Sequence, residues 1–265
     1  MDDETTHFSD PGTVEARRTS FGAGAATYDA VRPPWPADAV GWMLGRPEAP
    51  LRVLDLGAGT GLGTRTIAGL GHTVVAVDPS AEMLAALTTA SERLPADVAS
   101  RIETRVGSAE ALDDADASYD AVTSFQAWHW VDPTRAEPEC ARVLRSGGLL
   151  ALAWHSWSDG VDWLHELGEV VGTPEMIWNP DDHGPSVEAR AVDGFEPADN
   201  AQFGVVQSLT VDELVRLASS WSPVAVRADR DAVLVRVRDL GARVAGQGGT
   251  LTFPYVSDCF RYRRR

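Results

Sequence analysis

Cysteine is scarce in this chain, and long apolar runs are missing. Only Cys140 and Cys259 occur in 265 residues, too few for a disulfide framework or a cysteine zinc site. No apolar run approaches the ~20 residues that span a bilayer, and the acidic N-terminus is unlike a signal peptide. We therefore expect a cytoplasmic protein with reduced cysteines, no metal and no membrane partner.

Positive charge is also in short supply. The sequence has 23 Lys and Arg against 39 Asp and Glu, for a net charge of −16. Such a balance disfavours nucleic acid as a partner. The apolar and charged fractions, 44% and 23%, are ordinary for a globular protein. We expect one domain over residues 1–265, because α/β sheets of this length are commonly single domains, and the oligomeric state is left open.

The most informative stretch runs from Arg52 to Gly61. It begins as an apolar run of strand length, breaks into glycines and continues into a helix-like segment. A strand, a tight turn and a helix open a βαβ unit and create a ligand site at the carboxyl end of the strand. The alternative is a glycine turn that only packs the strand against the helix.

The spacing of glycines and acids narrows the choice of ligand. Leu62 stands where a dinucleotide fingerprint has its last glycine, and no phosphate-binding lysine follows the turn. A second acid, Asp78, closes the next apolar run, where it can accept hydrogen bonds from ribose hydroxyls. The pattern favours a ligand that has a ribose and little or no phosphate.

These motifs resemble those of a known family. Asp55-Leu56-Gly57-Ala58-Gly59-Thr60-Gly61, with Val77-Asp78-Pro79-Ser80 and Met83, is similar to motif I and post-I of the class I S-adenosylmethionine (SAM)-dependent methyltransferases. The resemblance implies SAM as cofactor. It also implies a Rossmann-like, doubly wound α/β fold with a seven-stranded sheet, mostly parallel with one antiparallel C-terminal strand, and helices on both faces.

Apolar patterns predict further elements before and after these motifs. The predicted strands are Arg101–Val106, Tyr119–Phe125, Leu149–Trp154, Phe203–Leu209 and Thr250–Val256. The predicted helices are Ala37–Leu44, Ser80–Leu94, Val161–Val171, Thr210–Ser219 and Arg230–Val244. The helix at Thr210 carries a capping box, because Glu213 follows three residues later.

The resemblance also implies which residues bind the cofactor. Asp78 is expected to hold both ribose hydroxyls, and residues 108–110 to lie beside the adenine, although Ser108 could simply be a helix N-cap. Asp55 could instead be a structural acid below the turn. The implied cofactor residues are Asp55, Gly57, Ala58, Gly59, Gly61, Asp78, Pro79, Met83, Ser108, Ala109, Glu110, Gln126 and Ala127.

Two segments flank the predicted cofactor core, residues 51–155. An N-terminal arm, residues 1–45, contains Phe21–Pro36, which resembles the segment that folds over cofactor and substrate in the methyltransferase type 11, trans-aconitate methyltransferase-like branch. Tyr28 and Arg32 are its candidate substrate contacts; alternatively, the arm only packs, and Arg32 pairs with a surface acid. An insertion at about residues 156–200 is expected to cover the substrate.

The end of the fourth predicted strand carries the candidate chemistry. Trp128, His129 and Trp130 follow it, and Trp154 ends the fifth strand, at the sheet edge where ligands of open α/β sheets bind. The three indoles are candidate substrate contacts. An imidazole can accept a hydroxyl proton near neutral pH, so His129 is the candidate catalytic base; alternatively, it orients the acceptor or fills a wall.

We interpret the sequence as that of a SAM-dependent methyltransferase acting on a small-molecule acceptor, at a carboxylate or hydroxyl oxygen. One alternative is a SAM-binding protein without catalysis. The other is a nicotinamide-dependent oxidoreductase, which Leu62 and the position of Asp55 within the strand disfavour.

Overall fold

The computed structural model describes residue 29, residues 31–173 and residues 192–265. Its centre is a seven-stranded sheet in the order β3-β2-β1-β4-β5-β7-β6. The strands are β1 (Arg52–Leu56), β2 (Thr73–Asp78), β3 (Ile102–Val106), β4 (Tyr119–Phe125), β5 (Leu144–Trp157), β6 (Asp199–Thr210) and β7 (Thr250–Arg263).

The direction of the strands confirms the predicted fold class. Strands β1 to β5 pair in parallel, whereas β7 runs antiparallel to both of its neighbours, β5 and β6. The last strand in the chain is therefore an interior strand. The sheet is Rossmann-like and mostly parallel, with a single reversed strand near the C-terminus.

Helices pack on both faces of the sheet. They are α1 (Ala37–Met43), α2 (Leu62–Gly69), α3 (Ala81–Ser91), α4 (Ala96–Ala99), α5 (Pro133–Val143), α6 (Asp162–Val171), α7 (Val211–Ser219), α8 (Ser222–Ala225) and α9 (Arg230–Val244). Successive β1 residues point to opposite faces: Val53 packs with residues of α1 and α2, and Leu54 packs with residues of α5.

A further apolar cluster packs against the side of the sheet formed by β7 and β6. It joins buried residues of α6, α7 and α9 to the first half of β7, including Leu164, Leu214, Val237 and Phe253. The helix predicted at Val161–Val171 is thus part of a packed layer. The rest of the predicted insertion falls largely on residues 174–191, which lie outside the described residues.

Side-chain caps hold the starts of α3 and α7. Ser80 caps α3 by accepting from the Met83 N–H at 3.3 Å, and Thr210 and Glu213 form the predicted capping box. No helix begins at Ser108, where the chain instead makes a turn closed by a bridge to Ala111. Among the described residues, none of the helices is long and apolar enough to cross a bilayer.

Candidate functional site

A large cavity opens at the carboxyl ends of β1, β2 and β4. It encloses about 1050 Å³, including its open mouth. The predicted cofactor residues that line it are Gly57, Ala58, Gly59, Asp78, Pro79, Met83, Ser108, Ala109, Glu110, Gln126 and Ala127. Most of the residues that the sequence suggests for one ligand therefore share one cavity, which we call the cofactor cavity.

The turn after β1 brings the backbone close to this cavity. Gly57 has φ +66°, and a Cβ there would stand 2.5 Å from Cβ of Ala127, which only glycine avoids. The Ala58 N–H bonds to the Val77 carbonyl at 3.1 Å. Because the turn is fixed against both β2 and β4, its backbone forms a defined wall of the cavity.

Asp78 ties the turn to the end of β2. Its Oδ2 accepts from the Gly59 N–H and its Oδ1 from the Ser80 N–H, each at 2.8 Å. The residue is 8% exposed and lines the cavity. Asp78 is therefore held at the cavity wall, at the position where a ribose hydroxyl is predicted to bind.

Asp55 and Gly61 do not line the cofactor cavity but support its turn. Asp55 is buried and accepts from the Thr64 hydroxyl at 2.6 Å and the Thr123 hydroxyl at 2.9 Å. Gly61 is the N-cap residue of α2, with φ +85°. The carboxylate of Asp55 therefore joins β1 to α2 and β4, and its predicted role toward the cofactor stays a prediction.

Burial raises the pKa of Asp55 to about 6, although its two hydroxyl partners lower it. The native protein then holds this proton more tightly than the unfolded chain, so the associated stability is lost as pH rises through the folded pKa. We expect the stability of the wild type relative to Asp55→Asn to fall by on the order of 1–2 kcal/mol between about pH 5 and 7.5. Urea unfolding of both proteins at each pH measures this; identical pH dependence would contradict it.

The predicted adenine edge is held by a carboxylate. Glu110 accepts from the Ser108 hydroxyl at 2.7 Å and from the Asp132 N–H at 3.0 Å. It therefore links the turn after β3 to the loop that precedes α5. Trp130 and Val131, from that loop, also line the cofactor cavity.

The end of β4 is locally strained. Gln126 has φ +56°, a conformation that few non-glycine residues adopt and that clusters at functional sites. Its side chain is fixed by β5, because Oε1 accepts from the His155 N–H at 2.7 Å and Nε2 donates to the His155 carbonyl at 3.3 Å. This pair holds the β4 turn open beside the cavity.

The structure does not bring all of the predicted substrate residues to a cavity. Trp128 is buried in the core, and Trp154 packs against the same core cluster. The Trp154 indole N–H donates to Nδ1 of His129 at 3.3 Å. Of this group only Trp130 lines the cofactor cavity. The side chains of the short 3₁₀ helix at 128–130 therefore point in different directions, into the core and toward the cofactor cavity.

His129 is engaged by that indole although its side chain is exposed. Nδ1 accepts the Trp154 proton, so in a neutral ring Nε2 carries the remaining proton. The surrounding protein lowers the pKa of His129. Because the neutral ring has no free lone pair in this arrangement, the geometry favours the orienting or wall role over the base role, which stays a prediction.

A second cavity adjoins the first. It encloses about 420 Å³ and shares Trp35, Leu62 and Gln126 with the cofactor cavity. We call it the acceptor cavity. Its other lining residues are Arg32, Pro33, His155, Trp157, Leu217, Trp221 and Tyr255. Tyr28, the other predicted arm contact, lies outside the described residues.

Arg32 lines the acceptor cavity, and its predicted contact with the substrate stays a prediction. Its Nη2 donates to the Ser220 carbonyl at 3.1 Å. Trp35, His155 and Tyr255 also line this cavity and are not among the predicted ligand contacts. In the sequence, Trp35 is a tryptophan of the N-terminal arm and Tyr255 belongs to the alternating final strand. Neither pattern indicates which cavity a side chain faces.

The sheet order, and a cavity at the carboxyl ends of β1, β2 and β4 with Asp78 in its wall, are typical of a class I methyltransferase. A methyltransferase-domain family model matches residues 54–152. An uncharacterised methyltransferase from Mycobacterium tuberculosis is 41% identical over 252 residues, covering 91% of this chain and 94% of the relative. The chain therefore belongs to the class I methyltransferase family, whose methyl donor is SAM.

Two further similarities are informative. The malonyl-[acyl-carrier protein] O-methyltransferase of Methylococcus capsulatus is 42% identical over 190 residues, covering 66% of this chain and 56% of the relative. A crystal structure from Anaeromyxobacter dehalogenans, assigned as a type II methyltransferase, superposes with a TM-score of 0.64 at 22% identity, covering 88% of this chain and 97% of the other. The latter supports the fold alone.

Proposed function

We propose that this protein transfers the methyl group of SAM to an oxygen atom, carboxylate or hydroxyl, of a small-molecule acceptor. The observation that carries the proposal is the pair of joined cavities. One has the glycine turn and Asp78 expected for a nucleoside, and the other is lined by aromatic side chains. A donor in the first cavity would meet an acceptor in the second near Gln126.

The sulfonium of SAM supplies an already electrophilic methyl group. The work left for the protein is alignment of the nucleophile and exclusion of water. The tryptophan faces of the acceptor cavity can exclude water and favour a nearby cation by roughly 0.5–2 kcal/mol. A carboxylate acceptor needs no base. A hydroxyl acceptor needs one, the role predicted from the sequence for His129, although the Trp154 indole already donates to its Nδ1.

Oxygen as the methylated atom is supported by two observations. The relative from Methylococcus capsulatus is an O-methyltransferase by name. The polar lining of the acceptor cavity comes from arginine, glutamine, histidine and tyrosine, which are groups that can hydrogen-bond an oxygen. We also propose that the whole chain is one domain, with the arm at 1–45, the cofactor core at 51–155 and the substrate-covering insertion at about 156–200.

Thermal unfolding with added ligands tests the proposal. We expect SAM and its product S-adenosylhomocysteine (SAH) to stabilise the protein, by about 2.7 kcal/mol at 100 times the dissociation constant, and NAD to have no effect. Incubation with methyl-labelled SAM and separate pools of carboxylic acids, phenols and amines should then label an oxygen acceptor.

The same experiment separates the alternatives. Stabilisation by SAH without labelling of any pool would favour the SAM-binding protein without catalysis. Stabilisation by NAD and not by SAH would favour the oxidoreductase. Label found in the amine pool alone would contradict oxygen as the methylated atom. A matched sample without protein controls for spontaneous methylation.

A further inference from the structure

The imidazole of His155 occupies an unusual place in the acceptor cavity. It stacks on Trp35, with ring centroids 3.8 Å apart and planes at 10°, and it lies 5.8 Å from the Tyr255 ring. Its backbone is fixed by the side chain of Gln126. The ring is therefore held on two sides, beside a residue that lines both cavities.

The two nitrogens of this ring differ in their surroundings. Nδ1 lies 3.1 Å from the Ser257 hydroxyl, on the β7 residue that pairs with His155 across the sheet. Nε2 is buried and has no hydrogen-bond partner within the described part of the chain. A buried polar atom without a partner costs free energy, which a ligand atom in the cavity would recover.

The acceptor cavity, which His155 lines, is apolar except at a few points. Trp35, Trp157 and Trp221 supply flat faces, and the charged residue among its described lining is Arg32. Its Nη2 donates to the Ser220 carbonyl at 3.1 Å. Burial, followed by the charge of Arg32, lowers the pKa of His155 to about 3, so the imidazole is neutral at ordinary pH.

We propose that His155, held by Ser257, positions the acceptor by a hydrogen bond from Nε2–H to one oxygen of a carboxylate on a small, planar, apolar molecule. The Ser257 hydroxyl donates to Nδ1, which leaves the proton on Nε2. The inference rests on the proposed function and deepens it, because it names the acceptor class and a positioning residue in strand β5.

The chemistry of this arrangement balances without a base. The second carboxylate oxygen forms a bond to the methyl carbon of SAM, the methyl carbon–sulfur bond breaks, and its electron pair stays on sulfur. The products are a methyl ester and SAH, and no proton is transferred. His155 keeps its proton throughout, so its role is to orient the oxygen.

Benzoate is the probe, because it is a carboxylate on a planar apolar body. With SAH-loaded protein, benzoate should change the intrinsic tryptophan fluorescence saturably. His155→Phe keeps a flat ring without nitrogen and should weaken benzoate by roughly 10- to 150-fold, the range for a hydrogen bond to a charged group. His155→Gln, which keeps an N–H donor, should recover part of the loss. Neutral benzamide should bind more weakly than benzoate.

Controls keep the outcome decisive. His165→Asn alters an exposed histidine and should leave benzoate binding unchanged. If His155→Phe does not fold, Ser257→Ala takes its place and should weaken benzoate binding because it frees the ring. On ¹⁵N-histidine-labelled protein, benzoate should shift the Nε2 resonance of His155, an effect that a structural role would not produce.

The inference is overturned if SAH-loaded wild type does not bind benzoate, or if His155→Phe and Ser257→Ala both bind it as tightly as wild type. SAH affinity is measured by calorimetry on the same samples. If the wild type does not bind SAH, the result counts against the proposed function. If the wild type and the variants bind SAH, and the variants also bind benzoate as tightly as the wild type, only the role of His155 is overturned.

Discussion

Replacing Asp78 by alanine should weaken the binding of SAM and SAH alike by roughly 10- to 150-fold, or about 1.5–3 kcal/mol. The carboxylate is buried at the cavity wall, where it accepts from the Gly59 and Ser80 N–H groups. Its loss removes the expected acceptor for the ribose hydroxyls and leaves two backbone donors without this partner. Isothermal titration calorimetry with SAH measures the effect directly.

Two control variants make this result interpretable. Asp97→Ala removes a carboxylate whose side chain is 69% exposed and should leave SAH affinity unchanged. Asp78→Asn keeps one acceptor oxygen, so its affinity for SAH should lie between the affinities of the wild type and of Asp78→Ala. An unchanged SAH affinity in a folded Asp78→Ala protein would remove Asp78 from the cofactor site.

Replacing Gly61 by alanine should cost about 2–5 kcal/mol of unfolding free energy, from two separate causes. At φ +85° a Cβ is disfavoured by about 1–2 kcal/mol. The added Cβ would also stand 2.4 Å from Cγ of Leu87, which is fully buried and cannot move aside into solvent. Overpacking of this kind typically adds about 1–3 kcal/mol. Urea denaturation measures the loss.

Gly71 supplies a matched control for the backbone effect. It has φ +96°, and a Cβ there would meet no other described atom within 4 Å. Gly71→Ala should therefore lose only the conformational part, about 1–2 kcal/mol. Equal losses in the two variants would show that Leu87 accommodates the methyl group and that the contact between α2 and α3 is looser than its geometry indicates.

The sequence was sufficient for the fold because its strongest signals are local. The run from Arg52 to Gly61 and the acid Asp78 each lie within one strand and its turn, so their spacing alone predicts the βαβ unit. The extent of the later strands was harder to predict. Strand β5 begins at Leu144, not Leu149, because Leu144 pairs with Tyr119 of β4. Strand β7 continues to Arg263, beyond Val256, because it pairs with β5 as far as Leu149.

The cofactor cavity was largely predictable and the acceptor cavity was not. Residues around Gly57 and Asp78 follow single strands, whose carboxyl ends meet at one sheet edge. By contrast Arg32, His155, Leu217 and Tyr255 come from four distant parts of the chain and converge only in the folded protein. They come together only because of the reversed strand β7 and the layer of helices α6, α7 and α9 that packs against it.

The direction in which a side chain points was also not predictable from the sequence. Residues 128–130 form a 3₁₀ turn, and no period in so short a segment tells which ring faces the ligand. Trp128 entered the core and Trp130 the cofactor cavity. The predicted roles of these residues in substrate binding stay predictions.

The interior position of β7 has a consequence for how the chain reaches its native state during synthesis. Strands β5 and β6 are made first, and the slot between them stays empty until residues 250–263 leave the ribosome. Until then the β5 edge, which leads to His155, has unpaired backbone groups that another chain could occupy. Closure then requires pairings between residues more than 100 positions apart, such as Leu152 with Phe260, and such non-local contacts form slowly. Completion of the acceptor cavity and protection of the nascent sheet from aggregation are therefore the same event.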